Sequence, residues 1–384
     1  METETISKNG AILKSQTSKV IAIIGIAILS SCAGSKHYSY SFAQTVSSPA
    51  ASTTEVITPP IKGINVPGTS LTEKLTWLQG NVNSHNTYIL EVSTDENIAP
   101  HTLHYKDVIN ITVVIRGDST NRIIRLRSNG TMFTIRSGVT LILDNNITLH
   151  GHSQNTDCMV HVNRGIFKMN NGSTITGNNK RGVMVEGAKI YEGSNETGVF
   201  EMSGGTISNN TNGGVYVSDG GNFTMNGGTI SNNTATDGGG VYINCGTFTM
   251  ISGTIFGNTA HKSGGGVRVG DRFNGRFNMR GGNIYSNTAH EYGGGVYVDL
   301  SGGASFVKNG GSITGFNNDQ SNGNWVGGDG NTISRRGHAV FATMSLQYYT
   351  RRRETTAGAT VNLSVTFEGR GGMPIYNGAW EQDN

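Results

Sequence analysis

Apolar and polar residues alternate in short runs along most of this chain, and the same three runs return in the same order. The clearest set lies in 221–243, GNFTMNGGTISNNTATDGGGVYI, where FTM, TIS and VYI are separated by Gly and Asn. Alternation with a period of two marks half-buried strands. None of these runs is long enough to be stable alone. Their first members are Phe167, Phe200, Phe223, Phe248 and Phe277, with a degenerate copy at Phe306. The second run carries Ile175, Ile207, Ile230, Ile255, Ile284 and Ile313, and the third starts at Val183, Val215, Val241, Val267 and Val296. Three strands and three turns in 23 to 33 residues leave no room for a helix or a four-stranded blade. The pattern predicts an all-β fold, a right-handed parallel β-helix of three-strand coils that buries its inner face only by stacking copies of itself.

The alternation also assigns faces. Phe and Met of the first run, Ile of the second and both apolar residues of the third should point inward. The first sheet then shows solvent Lys168, Glu201, Thr224, Thr249 and Asn278, and the second shows Ser208, Thr229, Ser231, Phe256 and Tyr285. Asn178, Asn210, Asn233, Asn258 and Asn287 each follow the second-run Ile by three residues. They are expected to form a hydrogen-bonded ladder and to tolerate left-handed backbone at a corner. Insertions at 186–197, 270–276 and 319–332, the last carrying Trp325, should bulge outward. Upstream, strands are expected at 88–92, 108–115, 123–126, 132–135, 139–143 and 147–149.

Ser70–Gln79 breaks the strand pattern. Ser70 and Glu73 form a capping box, and Leu71, Leu75 and Leu78 share one helical face. A short helix here would cap the N-terminal end of the solenoid, with Trp77 packed on the core. Residues 66–334 are thus read as the β-helix with its cap and 335–384 as a C-terminal capping segment, with a last strand at 361–367 and Trp380 packing over the final coil. The arginines 335–336 and 351–353 read as a solvated basic run. Residues 33–65, rich in Ser, Thr, Ala and Pro, read as a flexible tether.

Before the tether, Lys8, Lys14 and Lys19 precede the apolar run VIAIIGIAIL at 20–29, too short to span a bilayer. The run ends Leu29-Ser30-Ser31-Cys32, which resembles the lipobox of bacterial lipoproteins. That resemblance implies that 1–32 is a signal segment, that Cys32 is the lipid anchor, and that Ala33 in place of Asp directs sorting to the outer membrane. An ordinary cleaved signal, giving a secreted protein, is the alternative. The repeats in turn are similar to those of bacterial polymorphic outer-membrane proteins. F-x-x-N stands at Phe167–Asn170, Phe223–Asn226 and Phe306–Asn309, and GGGV at Gly238–Val241, Gly264–Val267 and Gly293–Val296 takes the place of G-G-A-[ILV]. The resemblance implies a surface adhesin. The chain has no room for the membrane-inserting barrel those proteins carry.

Composition narrows the chemistry. Charged residues are 14% and the net charge is only +3, so no strong basic field points to nucleic acid. Cys158 and Cys245 fall three coils apart, roughly 14 Å at ~4.8 Å per coil, beyond disulfide reach. The expected binding feature is the outward row of the third sheet, Met184, Tyr216, Tyr242, Arg268 and Tyr297. Tyr216, Tyr242, Arg268 and Tyr297 would form a ligand-contact stripe for protein or glycan, or else cover neighbouring strand residues. The competing reading is a carbohydrate-active enzyme, a polysaccharide lyase or glycoside hydrolase type. Such an enzyme needs grouped carboxylates, and the nearest group is Asp271 and Asp299 with Arg268. His261 and His290 occupy equivalent loop positions but lack a third ligand, so no metal and no cofactor is expected. The balance favours a lipid-anchored, non-enzymatic surface protein that binds host, matrix or glycan ligands.

Overall fold

The computed structural model describes residues 61–188, 196–270, 274–315, 323–327, 339–344, 347–351, 353–354, 361–364 and 380–381. They form a parallel β-helix whose three long sheets, taken in the order of the three runs, hold 11, 9 and 10 strands. The first sheet runs in parallel from Ile64–Asn65 to Ser305–Lys308 and ends on Val361–Ser364, so pairing begins inside the stretch read as tether. The second contains the TIS runs and the third the V-x-V runs. Registers are repeat-perfect: Phe223 sits on Phe248, Ile230 on Ile255 and Val241 on Val267.

The inward assignments hold. Phe, Met, Ile and Val of the three runs are buried in one continuous core. Six phenyl rings stack along the axis, with centroids 4.6 to 5.0 Å apart from Phe167 to Phe306. Lys308 is the exception: it occupies the Met position of the last coil and is fully buried. Ser208 and Ser231, placed on the outward side by alternation, are buried, Ser231 in register beside the larger Phe256.

The Asn ladder forms and is longer than expected. The side-chain Nδ2 of Asn210, Asn233, Asn258 and Asn287 each donates to the Oδ1 of the next Asn, at 2.9 to 3.0 Å, ending on Asn324. Asn155 adds a bond to Asn178 at the other end. The left-handed residue at this corner is not the ladder Asn but the one before it: Gly177, Asn209, Asn232, Gly257 and Ser286, with φ from 52° to 72°. This offset leaves the ladder amide pointing inward while its neighbour turns the chain. Just beyond the corner, Thr234–Ala235, Thr259–Ala260, Thr288–Ala289 and Trp325–Val326 form a fourth, short parallel sheet. The coils here therefore have four strands rather than three. Trp325 is a strand residue, and Asn324 and Val326 beside it are buried, so this part of the insertion returns to the coil instead of bulging.

The helix spans Leu71–Asn81 with the capping box in place, and Leu71, Leu75 and Leu78 are buried. The Glu96 carboxylate accepts from the Leu71 N–H at 2.8 Å, satisfying an N-terminal donor. Lys74 Nζ donates to the Glu91 carbonyl at 2.6 Å, which pins the helix to the first full strand, and Trp77 is half-buried against Tyr88. At the other end the chain reverses. Gln347–Arg351 and Val361–Ser364 pair antiparallel with the third and first sheets, and Trp380 pairs with Glu354. Strands that the sequence pattern missed near the start, Glu96–Ile98 and His101–Leu103, alternate too weakly to stand out.

Tyr105 carries a defect that can be tested. Its hydroxyl is buried without a hydrogen-bond partner, and burial pushes the phenol well above its ordinary pKa. An unsatisfied buried hydroxyl costs about 1–3 kcal/mol. Tyr105→Phe should therefore raise stability by about 1 kcal/mol in a urea titration; a lower midpoint would contradict this account.

Candidate functional site

The outward row of the third sheet is one continuous register. It runs Thr134, His161, Met184, Tyr216, Tyr242, Arg268, Tyr297 and Phe341, each paired with the next. Glycines deliver the chain to this sheet. A Cβ on Gly239 would lie 2.6 Å from the Gly265 carbonyl, and one on Gly240 at 2.6 Å from Gly266. The turns can stack at this spacing only without side chains.

The row divides into a closed and an open part. At the C-terminal end Tyr297 is only 8% exposed and stacks on Phe341 at 5.8 Å, while Tyr292 packs on Phe341 at 4.6 Å. Burial pushes the Tyr297 phenol up to about 12, against the opposing pull of Arg268. Arg268 lies over both Tyr242 and Tyr297, with its guanidinium carbon 5.4 and 4.8 Å from their ring centres. Its Nη1 donates to Asp237 at 2.7 Å, and its side chain is 11% exposed. Asp237 is thus the counter-ion of that largely buried cation. Tyr297 and Arg268 are therefore packing residues, and the stripe available to a ligand contracts to Tyr216 and Tyr242. Those two rings meet edge to face at 5.2 Å, both half-buried. The Tyr216 hydroxyl accepts from Asn244 at 3.1 Å, and burial raises its pKa.

The open part continues toward the N-terminal end as a cleft of about 210 Å³, whose walls include Thr131, Asp157, His161, Lys180, Arg181 and Met184. The Arg181 guanidinium lies 4.1 Å from the Tyr216 ring centre, so cleft and aromatic pair adjoin. His161 Nε2 contacts Glu186 at 2.6 Å. Cys158 backs the cleft; burial pushes its thiol up to about 11, the opposite of a reactive cysteine. Cys158 and Cys245 are both free, as their coil spacing required.

Of the carboxylates in the enzyme reading, Asp271 lies outside the described residues. Asp299 ends the strand Val296–Asp299, in register with Thr343. Arg268, their expected cation, is held by Asp237. The His261 and His290 rings do lie close, 5.1 Å apart and edge to face. No group of three or more metal-ligating side chains exists among the described residues. On the other sheets Lys168 pairs with Glu201 at 2.7 Å near the surface, and Phe256 stacks on Tyr285 at 5.4 Å.

Sequence reasoning missed Lys180 and Arg181, although a signal was present. By register Arg181 stands where the following coils carry Gly213, Gly239, Gly265 and Gly294. A cation replacing a repeated glycine is a departure that structure alone does not demand. No protein-family model matches this chain, and no curated protein or solved structure matches it significantly. Among the described residues no helix is long and apolar enough to cross a membrane.

Proposed function

We propose that this chain is a bacterial surface protein, anchored through a lipidated Cys32, that uses the outward face of the third sheet to bind a ligand outside the cell. The observation that supports this reading most is the open part of that face, where Tyr216, Tyr242 and Arg181 lie side by side on a rigid parallel sheet next to a polar cleft. Aromatic and Arg side chains held in fixed positions suit recognition, since little side-chain freedom remains to be lost on binding. The enzyme reading is weaker, because the Arg268 cation it relies on is already neutralised by Asp237.

A glycan and matrix-protein array probed with the full chain tests the proposal. We expect saturable binding without turnover of uronic-acid polymers, weakened tenfold or more by Tyr216→Ala with Tyr242→Ala (about 1.4 kcal/mol). Turnover that disappears in Asp299→Ala would overturn it in favour of the enzyme. For the anchor, Cys32→Ala should release the protein from the membrane fraction, and unchanged detergent partitioning would refute lipidation.

A further inference from the structure

We infer that the Lys180–Arg181 cleft is a subsite for an anionic group of an acidic glycan, a carboxylate or a sulfate; this rests on the reading of the third face as a ligand-binding surface. Two cations line one concave wall there, and neither forms an ion pair with a carboxylate of the described residues. Some cations elsewhere near the surface are paired, as at Lys168–Glu201, Arg122–Asp118 and Arg125–Asp95; Lys180 and Arg181 differ from these in lining a cleft without a paired carboxylate. Arg181 is also pre-positioned: Tyr216 supports its guanidinium plane at 4.1 Å, and a planar fork held in place suits a carboxylate or sulfate. Two carboxylates stand near this pair, Asp157 in the cleft wall and Glu186 on His161 at 2.6 Å, and neither makes an ion-pair contact with Lys180 or Arg181.

The surroundings favour a sugar over a protein. The cleft's volume of about 210 Å³ is below the ~300–1,000 Å³ usual for larger ligands. Its walls supply the Thr131 hydroxyl and the His161 ring, with Met184 and Tyr216 as apolar surface beside them. A protein partner needs a desolvated apolar centre. The large apolar side chains exposed among the described residues are Ile64, Ile109, Ile166 and Ile251, and none lies on the third sheet.

The test uses the full chain in detergent, titrated calorimetrically with an oligogalacturonate, a sulfated dextran fragment and neutral maltohexaose. At least one anionic probe should bind tenfold or more tighter than the neutral one, and its affinity should fall as salt rises. The preferred probe tells carboxylate from sulfate. Lys180→Gln with Arg181→Gln should erase the preference, while the remote Lys262→Gln leaves it intact. Should the double variant melt lower, Lys180→Gln alone, which alters only a half-exposed side chain, is expected to lose several-fold. Equal binding of neutral and anionic probes, or an unchanged double variant, would overturn the inference. If binding then still depends on Tyr216 and Tyr242, the surface-binding function stands without the anionic subsite. Matrix-protein binding with no glycan binding overturns the subsite in the same way.

Discussion

Replacing Asn233 by Ala should lower the stability of the central coils by about 3–5 kcal/mol, although the change removes only a small amide. Asn233 is fully buried and all its hydrogen-bonding capacity is used. Its Nδ2 donates to Asn258 Oδ1 and to the Ile207 carbonyl, each at 3.0 Å. Its Oδ1 accepts from both the backbone N–H and the Nδ2 of Asn210, again at 3.0 Å. Alanine strips partners from groups in two neighbouring coils that water cannot reach, and each such loss costs about 1–3 kcal/mol. Asn233→Asp should be no better, since it keeps the acceptor but removes the donor and buries a charge. The exposed Asn226, changed to Ala, serves as the control and should stay within about 0.5 kcal/mol of the parent. Urea midpoints for the three variants would decide the matter, and a mild Asn233→Ala would mean that the ladder merely accompanies the fold.

Phe248→Ala should cost a similar amount, about 3–5 kcal/mol, for a different reason. The ring is sandwiched between Phe223 at 4.6 Å and Phe277 at 4.9 Å, nearly parallel to both. Truncation leaves a cavity between two rings whose backbones are fixed by sheet registry, so the site cannot collapse. It also removes two aromatic contacts, each contributing about 0.5–1.5 kcal/mol beyond burial. Phe256→Ala, on the outward face of the second sheet, should cost about 1 kcal/mol or less. A Phe248→Ala protein as stable as Phe256→Ala would show that the stack relaxes freely.

These two positions also show what was legible in the sequence. Phe248 and Asn233 announce themselves through recurrence, because a solenoid repeats the same chemical demand at every coil. Period-two alternation then settles which side each residue faces, and the capping box settles the helix start. What the sequence concealed depends on side-chain torsions or on segments too short to show a period. Thr234–Ala235 is too brief to reveal the fourth sheet, and the left-handed residue could be either of two adjacent asparagines, Asn232 or Asn233. Tyr297 and Arg268 were correctly placed in the outward row. Whether they meet solvent, however, depends on Phe341 folding over one and Asp237, 31 residues earlier, claiming the other. Lys180 and Arg181 carry no periodic signal, because they stand where the repeat is broken.

The repeat-perfect register has a consequence for how such a chain can change its size. Gly221 sits on Gly246 and Met225 on Met250, so residues 221–245 form one closed circuit of the coil. Excising or duplicating that circuit would rejoin like with like: phenyl on phenyl, amide on amide, glycine turn on glycine turn. Length is thus nearly a free variable of this architecture, adjustable in increments of ~4.8 Å by slippage between similar stretches of coding sequence. The Lys180–Arg181 cleft lies on the N-terminal side of the interchangeable circuits, so its distance from the capping helix Leu71–Asn81 would stay constant while the C-terminal end of the β-helix grew or shrank.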